Sequence, residues 1–142
     1  MDYSFLDSEE YKDIYMIRIK ENNNGLPFFI RKYIQQYVPR HELHRHEYMQ
    51  INYIFRGKRR HKVHKHEFDI MKGDIFVMPP YVPHLIIANL DSEIEIFEFK
   101  FIPGFINQGF ELVENARSFL DFAYIEPFLV SENQIKPRLN QD

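Results

Sequence analysis

The sequence predicts an all-β barrel or sandwich, because short strand-like runs follow one another at close and regular spacing. Phe (14) and Tyr (9) carry much of the apolar bulk, and aromatic side chains favour strands over helices. Turn-forming glycines and prolines separate the runs. The predicted strands are Ile14–Ile19, Phe28–Val38, Tyr48–Phe55, Arg59–His64, Glu67–Met71, Ile75–Met78, His84–Ala88 and Ile94–Phe101.

After Pro103 the apolar spacing changes from that of a strand to that of a helix. Phe110–Phe128 carries apolar residues at close to the 3.6-residue helical repeat, and Pro127 marks the end of this predicted helix. We therefore expect one domain over residues 1–142, with a barrel over about 10–102 and a short helical and extended tail over about 105–142. The helical stripe consists of Val113, Ala116, Phe119, Leu120, Ala123 and Tyr124.

The composition excludes several classes of protein. The chain has no cysteine, which excludes disulfides and thiolate metal sites. Its net charge of -3 gives no general attraction to nucleic acid or to an anionic membrane. The N-terminus lacks the apolar region of a signal peptide, and no apolar run approaches the roughly 20 residues that span a bilayer. We expect a soluble, cytoplasmic protein with no membrane partner.

Two histidines begin a run in which polar and apolar side chains alternate. Side chains two residues apart in an extended segment project from the same face. The polar face consists of His44, His46, Tyr48, Gln50 and Asn52. The other face, from Met49 to Phe55, is apolar apart from one tyrosine hydroxyl. A half-buried strand normally turns its apolar face inward, so this inversion predicts that the polar face lines a barrel lumen and that the C-terminal helix covers the apolar face.

A second cluster runs from Gly73 to His84. Gly73-Asp74 suits a tight turn into a strand, and the prolines that follow Met78 stiffen the loop that leads to His84. The imidazoles of residues 44, 46 and 84, with the side-chain oxygen of residue 50, could face one point in space. Three neutral nitrogens and one oxygen would suit zinc, nickel or ferrous iron.

The two clusters resemble the two motifs of the cupin superfamily. His44-x-His46-x3-Gln50-x6-Gly57 resembles the first motif, and Gly73-x5-Pro79-x4-His84 resembles the second. Together they cover roughly residues 41–89. The resemblance implies a jelly-roll barrel with a ligand pocket or metal site inside.

Two residues depart from the cupin pattern. Gln50 stands where the family usually has a glutamate, so the carboxylate that would partly neutralise a divalent ion is absent. Tyr81 stands where a glycine is expected, two residues after the motif proline Pro79. An aromatic ring at this position closes a flexible point beside the pocket.

Within the cupins, the chain is most similar to the sensor domains of AraC-type transcriptional regulators. The runs Asp74–Pro80 and Ile96–Phe101 have the character of those domains. The resemblance implies a strand-rich barrel that binds a small effector, followed by helices that mediate homodimers. Three further apolar residues of the predicted helix lie outside its apolar stripe and would form the homodimer interface, namely Phe122, Ile125 and Phe128. DNA would be bound only through a domain that this chain lacks.

The end of the chain allows two interpretations. Ile135–Leu139 begins an extended segment, and the chain stops three residues later. This is either an ordinary frayed terminus or a longer protein cut at a linker.

The remaining histidines have structural interpretations. His41 precedes the first polar run and is expected at the surface. His61, His64 and His66 lie in the basic run Lys58–His66. Such a run can resemble a phosphate-binding patch, but in a hairpin it is expected to form a solvated edge that resists strand pairing.

Three roles stay open for the histidines of the two motifs: lining a polar interior without a ligand, contacting a ligand, or holding a metal. The predicted ligand-binding residues are His44, His46, Tyr48, Gln50, Asn52, Tyr81 and His84. The predicted metal ligands are His44, His46, Gln50 and His84. No residue is assigned a catalytic role.

The leading functional hypothesis is a small-molecule effector-binding and dimerisation domain of an AraC-like transcription regulator, with a sugar or another polar metabolite as effector. The alternative is a stand-alone, metal-dependent cupin enzyme that acts as an oxygenase, isomerase or lyase on a small metabolite. In the enzyme the same histidines would hold a zinc, nickel or iron ion that serves as Lewis acid or oxygen activator.

Overall fold

Nine strands in two sheets make up most of residues 4–19, 26–35, 42–88 and 93–104, the residues that the computed structural model describes. Two short 3-10 turns, Ser4–Leu6 and Glu9–Tyr11, precede the strands. The strands are β1 (Tyr15–Ile17), β2 (Phe28–Gln35), β3 (His44–His46), β4 (Met49–Arg56), β5 (Lys58–Val63), β6 (His66–Met71), β7 (Ile75–Met78), β8 (His84–Ile87) and β9 (Ile94–Phe101).

The chain passes repeatedly from one sheet to the other. One sheet has the strand order β1-β3-β8-β5-β6 and the other has the order β2-β9-β4-β7. Neighbouring strands are antiparallel except for the parallel pair β1 and β3. Side chains of both sheets pack into one buried apolar cluster, which includes Ile54, Val63, Ile86 and Ile96. The two sheets therefore face each other, and the prediction of an all-β cupin jelly-roll barrel is confirmed.

The strand boundaries follow the sequence pattern closely at β7 and β9, where the predicted and observed ranges coincide. The first histidine run differs. His44 and His46 lie in β3, whereas Gln50 lies in β4 of the other sheet, because the chain bends at Glu47 and Tyr48. The bend carries the chain across the barrel, so the two ends of the polar run face each other from opposite sheets.

The inner face of the four-stranded sheet changes from apolar to polar along the barrel. Ile54 pairs with Ile96 at the apolar end. Two residues from this pair, Asn52 of β4 pairs with Glu98 of β9. After two more residues in the same direction, Gln50 pairs with Lys100. All these side chains are buried. The polar face of β4 therefore points into the barrel, as its alternation with the apolar Met49–Phe55 face predicts.

A second, smaller apolar cluster lies on the outer face of the same sheet. It is built from Met49, Val77 and Phe101, with half-buried Ile51 and Phe99 packed against it. Two aromatic side chains of this face stay considerably exposed, Phe55 at 44% and Phe97 at 40%. Their rings contact each other edge to face with centroids 5.6 Å apart.

The prediction of a solvated edge at Lys58–His66 is wrong for the inward half of that run. Strand β5 lies between β8 and β6 in the interior of its sheet, so its alternate side chains point into the barrel. Arg59, His61 and Val63 are buried. His64 is half-buried, and its Nδ1 lies 2.9 Å from the Tyr11 hydroxyl.

Several predictions concern residues outside the described ranges. These are the surface position of His41, the helix Phe110–Phe128 with its apolar stripe, and the interface residues Phe122, Ile125 and Phe128. In the described part of the chain, no helix is both long enough and apolar enough to cross a membrane.

Candidate functional site

A cavity of about 460 Å³ lies between the two sheets at the polar end of the barrel interior. Its volume is within the range of small-molecule sites, roughly 300–1,000 Å³. Strands of both sheets contribute to its wall, and most of the lining side chains carry polar groups. The described lining residues are Ile17, Arg31, Tyr33, Ile34, Gln35, His44, Tyr48, Gln50, His84, Leu85, Ile86, Glu98 and Lys100.

His44 and His84 form a histidine wall on one side of the cavity. They are paired residues of β3 and β8, and their ring centroids lie 4.5 Å apart. The Nδ1 atom of His44 lies 3.1 Å from the carbonyl oxygen of Glu42, and that of His84 lies 3.1 Å from the carbonyl oxygen of Val82. A neutral imidazole that donates through Nδ1 keeps the lone pair on Nε2, so His84 can accept a hydrogen bond through Nε2.

The buried rings of this wall are neutral at pH 7. Burial lowers the pKa of His84 well below its ordinary value, and the neighbouring rings of His46 and His44 lower it further. His46 is fully buried, and burial followed by the effect of His44 lowers its pKa to about 3. His46 and His84 are therefore uncharged at pH 7 and act only as hydrogen-bonding groups.

His46 supports the wall from beneath. Its ring stacks on the ring of Tyr48 with centroids 4.2 Å apart, and it meets the ring of His84 edge to face at 4.8 Å. Its Nδ1 atom lies 2.6 Å from the Tyr48 carbonyl oxygen. His46 thus fixes the orientation of two rings that line the cavity, while its own Nε2 atom has no hydrogen-bond partner within the described residues.

A network of three charged side chains forms the opposite wall. Glu98 and Lys100 point inward from β9, and Arg31 is the cross-strand partner of Glu98 on β2. The Glu98 Oε2 atom accepts from Arg31 Nε at 2.7 Å and from Lys100 Nζ at 3.0 Å. The Glu98 side chain is 3% exposed and that of Lys100 is 9% exposed, so the carboxylate is held in a largely desolvated place by two cations.

Two tyrosines line the cavity beside these charges. The guanidinium of Arg31 lies 4.5 Å from the centre of the Tyr33 ring, and the ammonium of Lys100 lies 5.1 Å from that of Tyr48. Burial raises the pKa of both phenols, and the Glu98 carboxylate raises it further. Both hydroxyls therefore stay protonated at physiological pH and can donate as well as accept hydrogen bonds.

Gln50 is oriented by its neighbour two residues along β4. Its Nε2 atom donates to Asn52 Oδ1 at 3.0 Å. Gln50 lines the cavity, whereas Asn52 is completely buried beneath it. The amide hydrogen bond uses one donor of Gln50 and leaves its carbonyl oxygen as an acceptor for another group.

The structure places the seven predicted ligand-binding residues in three locations. His44, Tyr48, Gln50 and His84 line the cavity. Two others, His46 and Asn52, lie buried beneath them. The seventh, Tyr81, packs against the outer apolar cluster. Ligand binding by these residues stays a prediction.

Tyr81 occupies its place with a backbone conformation that favours glycine. Its φ angle is 68°, in the left-handed region that non-glycine residues adopt rarely. Its backbone N–H donates to the carbonyl oxygen of His46 at 2.7 Å. The glycine of the cupin motif would suit this φ angle, and here the tyrosine ring packs outside the barrel instead of closing the pocket.

Sequence reasoning missed the charged wall and one buried histidine. Arg31, Glu98 and Lys100 lie in runs that were predicted as strands, but their spacing along the chain gives no sign that they meet. His61 was assigned to a solvated edge, yet it is fully buried with its ring centroid 5.7 Å from that of His84. The apolar Val63, two residues along the same strand face, was the available signal that His61 points inward.

The described residues do not fit the divalent metal ion that the cupin resemblance implies. The Nδ1 hydrogen bonds of the histidine wall would favour metal binding, since they orient Nε2 for ligation. However, no group of three or more His, Asp or Glu side chains in the described ranges is arranged to hold an ion. Gln50 supplies no carboxylate, and the Lys100 ammonium lines the same cavity. We derive no chemistry through a metal, and the ligand set His44, His46, Gln50 and His84 stays a prediction.

Several solved structures of bacterial proteins are similar to this chain. A cupin protein from Bacteroides fragilis matches with 19% identity and a TM-score of 0.49, over 61% of this chain and 75% of that one. A protein from Photorhabdus luminescens matches with 18% identity and a TM-score of 0.48, over 59% and 75%. A cupin-like protein from Thermotoga maritima matches with 21% identity and a TM-score of 0.46, over 59% and 64%.

The sequence comparisons give one clear family. No curated protein matches the chain at a significant level. The sequence pattern of the family described as the AraC-like ligand binding domain matches residues 29–140, which is most of the chain and includes all the described cavity-lining residues except Ile17. This chain therefore belongs to the family of AraC-like ligand-binding domains.

Proposed function

We propose that this domain binds a small polar effector in the cavity between its two sheets and acts as the sensor of a transcription regulator. The observation that carries the proposal is the cavity of about 460 Å³ whose wall combines imidazoles, phenols and a charged network. Polar groups that converge on one partly enclosed cavity are costly to desolvate unless a ligand or water satisfies them. A ligand rich in hydroxyl groups could donate to the His84 imidazole and exchange hydrogen bonds with the phenols of Tyr33 and Tyr48.

Ligand binding would be coupled to regulation through the strands that form the cavity. A ligand shifts a conformational equilibrium only when it binds the two states with different affinity. Here β3 and β8 contact the ligand from one sheet, and β2, β4 and β9 contact it from the other. A bound molecule would therefore hold the two sheets at a defined separation, and the outer face of the four-stranded sheet would transmit this to a helical dimerisation segment.

The test of the proposal is a screen of small polar metabolites by thermal unfolding. A true effector raises the midpoint of unfolding, because it binds the folded state and not the unfolded chain. Tyr48→Phe removes a hydroxyl from the cavity wall and is expected to weaken binding by about fivefold to tenfold. Tyr53→Phe removes a hydroxyl from the outward face of β4, the strand that follows Tyr48, and serves as the matched control.

The outcomes are distinct. Binding that is weakened by Tyr48→Phe and unchanged by Tyr53→Phe would support the cavity as the effector site. A ligand whose affinity is unchanged in both variants, and in a His44→Ala variant, would show that the cavity is not the effector site. Sequencing of the gene on either side of the region that encodes this chain would test the link to DNA, which requires helix-turn-helix segments in the same reading frame.

A second function, the metal-dependent cupin enzyme, is not favoured by any observation of the site. Its ion would need convergent ligands, and the described residues do not provide that arrangement. The Lys100 ammonium also lines the same cavity, and a second cation there would repel a bound metal ion.

A further inference from the structure

The charged wall of the cavity carries one more positive charge than negative charge. Glu98 is the single acidic side chain among the described lining residues, whereas Arg31 and Lys100 are both cations. Burial lowers the pKa of Lys100, and the Glu98 carboxylate at 3.0 Å acts in the opposite direction by favouring the charged ammonium. The histidine wall does not supply a compensating negative charge, since imidazoles are either neutral or positive.

The two cations have hydrogen-bond donors beyond those that Glu98 takes. A guanidinium carries five N–H donors and an ammonium carries three. Both cations reach the same oxygen of Glu98, so at most a few of these donors are satisfied by that carboxylate. Both side chains line the cavity, and that of Lys100 is only 9% exposed, so an anionic acceptor that reaches these donors binds more strongly than a neutral one.

The arrangement also separates the anion site from the rest of the cavity. Arg31 and Lys100 lie on the four-stranded sheet, and His44 and His84 lie on the five-stranded sheet opposite. A ligand that spans the cavity would therefore meet the charged network at one end and hydrogen-bonding imidazole rings at the other. A ligand that binds both ends therefore needs an anionic group for the two cations and hydrogen-bonding groups for the imidazoles.

We propose that the effector is a small hydroxylated monocarboxylate, whose carboxylate binds between Arg31 and Lys100 and whose hydroxyl groups contact Glu98 and the histidine wall. This inference rests on the proposed function of the cavity as the effector site. The surplus of one charge favours a monoanion: a phosphate monoester carries about -1.5 to -2 at pH 7, which exceeds it. A neutral sugar would leave the surplus positive charge of this wall without a counter-charge, beside a Lys100 side chain that is only 9% exposed.

Isothermal titration calorimetry with matched probes tests the inference. D-Glucuronate is compared with D-glucose, D-galacturonate with D-galactose, and glycolate with ethylene glycol. Glucose 6-phosphate is added as a dianion of similar shape. We expect at least one carboxylate to bind about tenfold or more tightly than its neutral partner, as a charge-assisted hydrogen bond provides. We expect glucose 6-phosphate to bind more weakly than that carboxylate.

Neighbouring residues on β2 provide the variant and its control. Arg31→Met removes a cation from the cavity wall, whereas Lys32→Met removes a cation from the opposite face of the same strand. Their side chains are exposed to similar extents, 45% and 43%, so the two variants change net charge and surface equally. Arg31→Met should remove the preference for the carboxylate, Lys32→Met should preserve it, and the charge-conserving Arg31→Lys should retain most of it. Lys100→Met is the second variant that should remove the preference.

Each outcome of these titrations supports or overturns a specific part of the inference. Equal or tighter binding of the neutral partners would overturn the monocarboxylate inference and leave the cavity as an effector site. Tightest binding of glucose 6-phosphate would overturn it in favour of a dianion. A preference that Lys32→Met reduces as much as Arg31→Met would show a general charge effect and overturn it as well. If no probe binds, the inference fails, and the wider metabolite screen decides separately whether the proposed function stands.

Discussion

The imidazole ring of His61 lies edge to face against that of His84, with the centroids 5.7 Å apart. This contact extends the histidine cluster from the cavity wall into the apolar core, where His61 also meets the rings of Phe68 and Phe76 at 5.1 and 4.7 Å. Neither ring nitrogen of His61 has a hydrogen-bond partner among the described residues. A polar ring in such surroundings costs stability, and it also ties the stability of the barrel to pH.

The first prediction is a steep loss of stability in mild acid. Burial, followed by the effect of His44, lowers the pKa of His61 to about 3, and burial likewise lowers the pKa of His46 to about 3. Below the ordinary histidine pKa of roughly 6.5 the unfolded chain binds a proton that the folded protein rejects, so the free energy of unfolding falls by about 1.4 kcal/mol per pH unit for each such residue. Urea unfolding at pH 7, 6 and 5 measures this slope.

The variant His61→Leu separates the contribution of this one ring. At pH 7 it should raise the free energy of unfolding by about 1 kcal/mol, because it removes two unsatisfied nitrogens. Between pH 6.5 and 5 it should reduce the slope by about 1.4 kcal/mol per pH unit. Phe68→Leu changes the packing beside His61 without removing a titrating group and is the control. An unchanged slope in His61→Leu would contradict the assignment.

The second prediction concerns the glycine that joins β4 to β5. Gly57 has a φ angle of 92°, and a Cβ atom added to it would overlap with the carbonyl oxygen of Glu93. Gly73 has a similar φ angle of 93° with open space around the same position. Gly73→Ala should therefore lose only the left-handed backbone preference, about 1 to 2 kcal/mol. Gly57→Ala should lose a further amount of about 1 to 3 kcal/mol from the steric overlap.

The difference between these two alanine variants is the quantity to measure by chemical unfolding. Because the φ angles match, the backbone preference cancels in the comparison. Equal losses in the two variants would mean that β4 and β9 are not as close at Gly57 as the structure places them.

The third prediction is that the purified domain holds no stoichiometric zinc, nickel or iron. No group of three or more His, Asp or Glu side chains in the described structure is arranged to hold an ion, and the amide of Gln50 is a poorer ligand than a carboxylate. Elemental analysis of protein purified without a histidine tag provides the measurement. Stoichiometric metal that is lost in a His84→Ala variant, together with turnover of a small metabolite, would instead favour the enzyme.

The fourth prediction is a homodimer that depends on the C-terminal segment. The outer face of the four-stranded sheet exposes Phe55 and Phe97, and exposed aromatics gathered in one patch typically mark an association surface. We propose that the predicted helix covers this face with its stripe and offers Phe122 and Ile125 to a second copy. Replacing both by Asp should give a folded monomer in sedimentation experiments. A persistent dimer, or an unfolded protein, would count against this interface.

The local pattern of the sequence was sufficient for the strands and for one wall of the cavity. Strands β7 and β9 coincide with the predicted ranges, since alternation and flanking turns are properties of short segments. The inward direction of Gln50 and Asn52 followed from the inverted polar and apolar faces of one strand. The prolines of the second motif correctly marked the loop before His84, which pairs with His44 across the sheet.

The tertiary structure alone decided which distant residues meet. Arg31 and Glu98 are 67 residues apart and become partners only through the register of β2 on β9. The bend at Glu47 sends His46 and Gln50 into different sheets, and the place of β5 between two strands turns His61 inward. Strand register and sheet order depend on the packing of the whole barrel. Alternation within one segment carries no information about them. The sequence by itself therefore determined the strands and the inward face of β4, whereas the barrel decided the inward face of β5 and which charged and histidine side chains meet in the cavity.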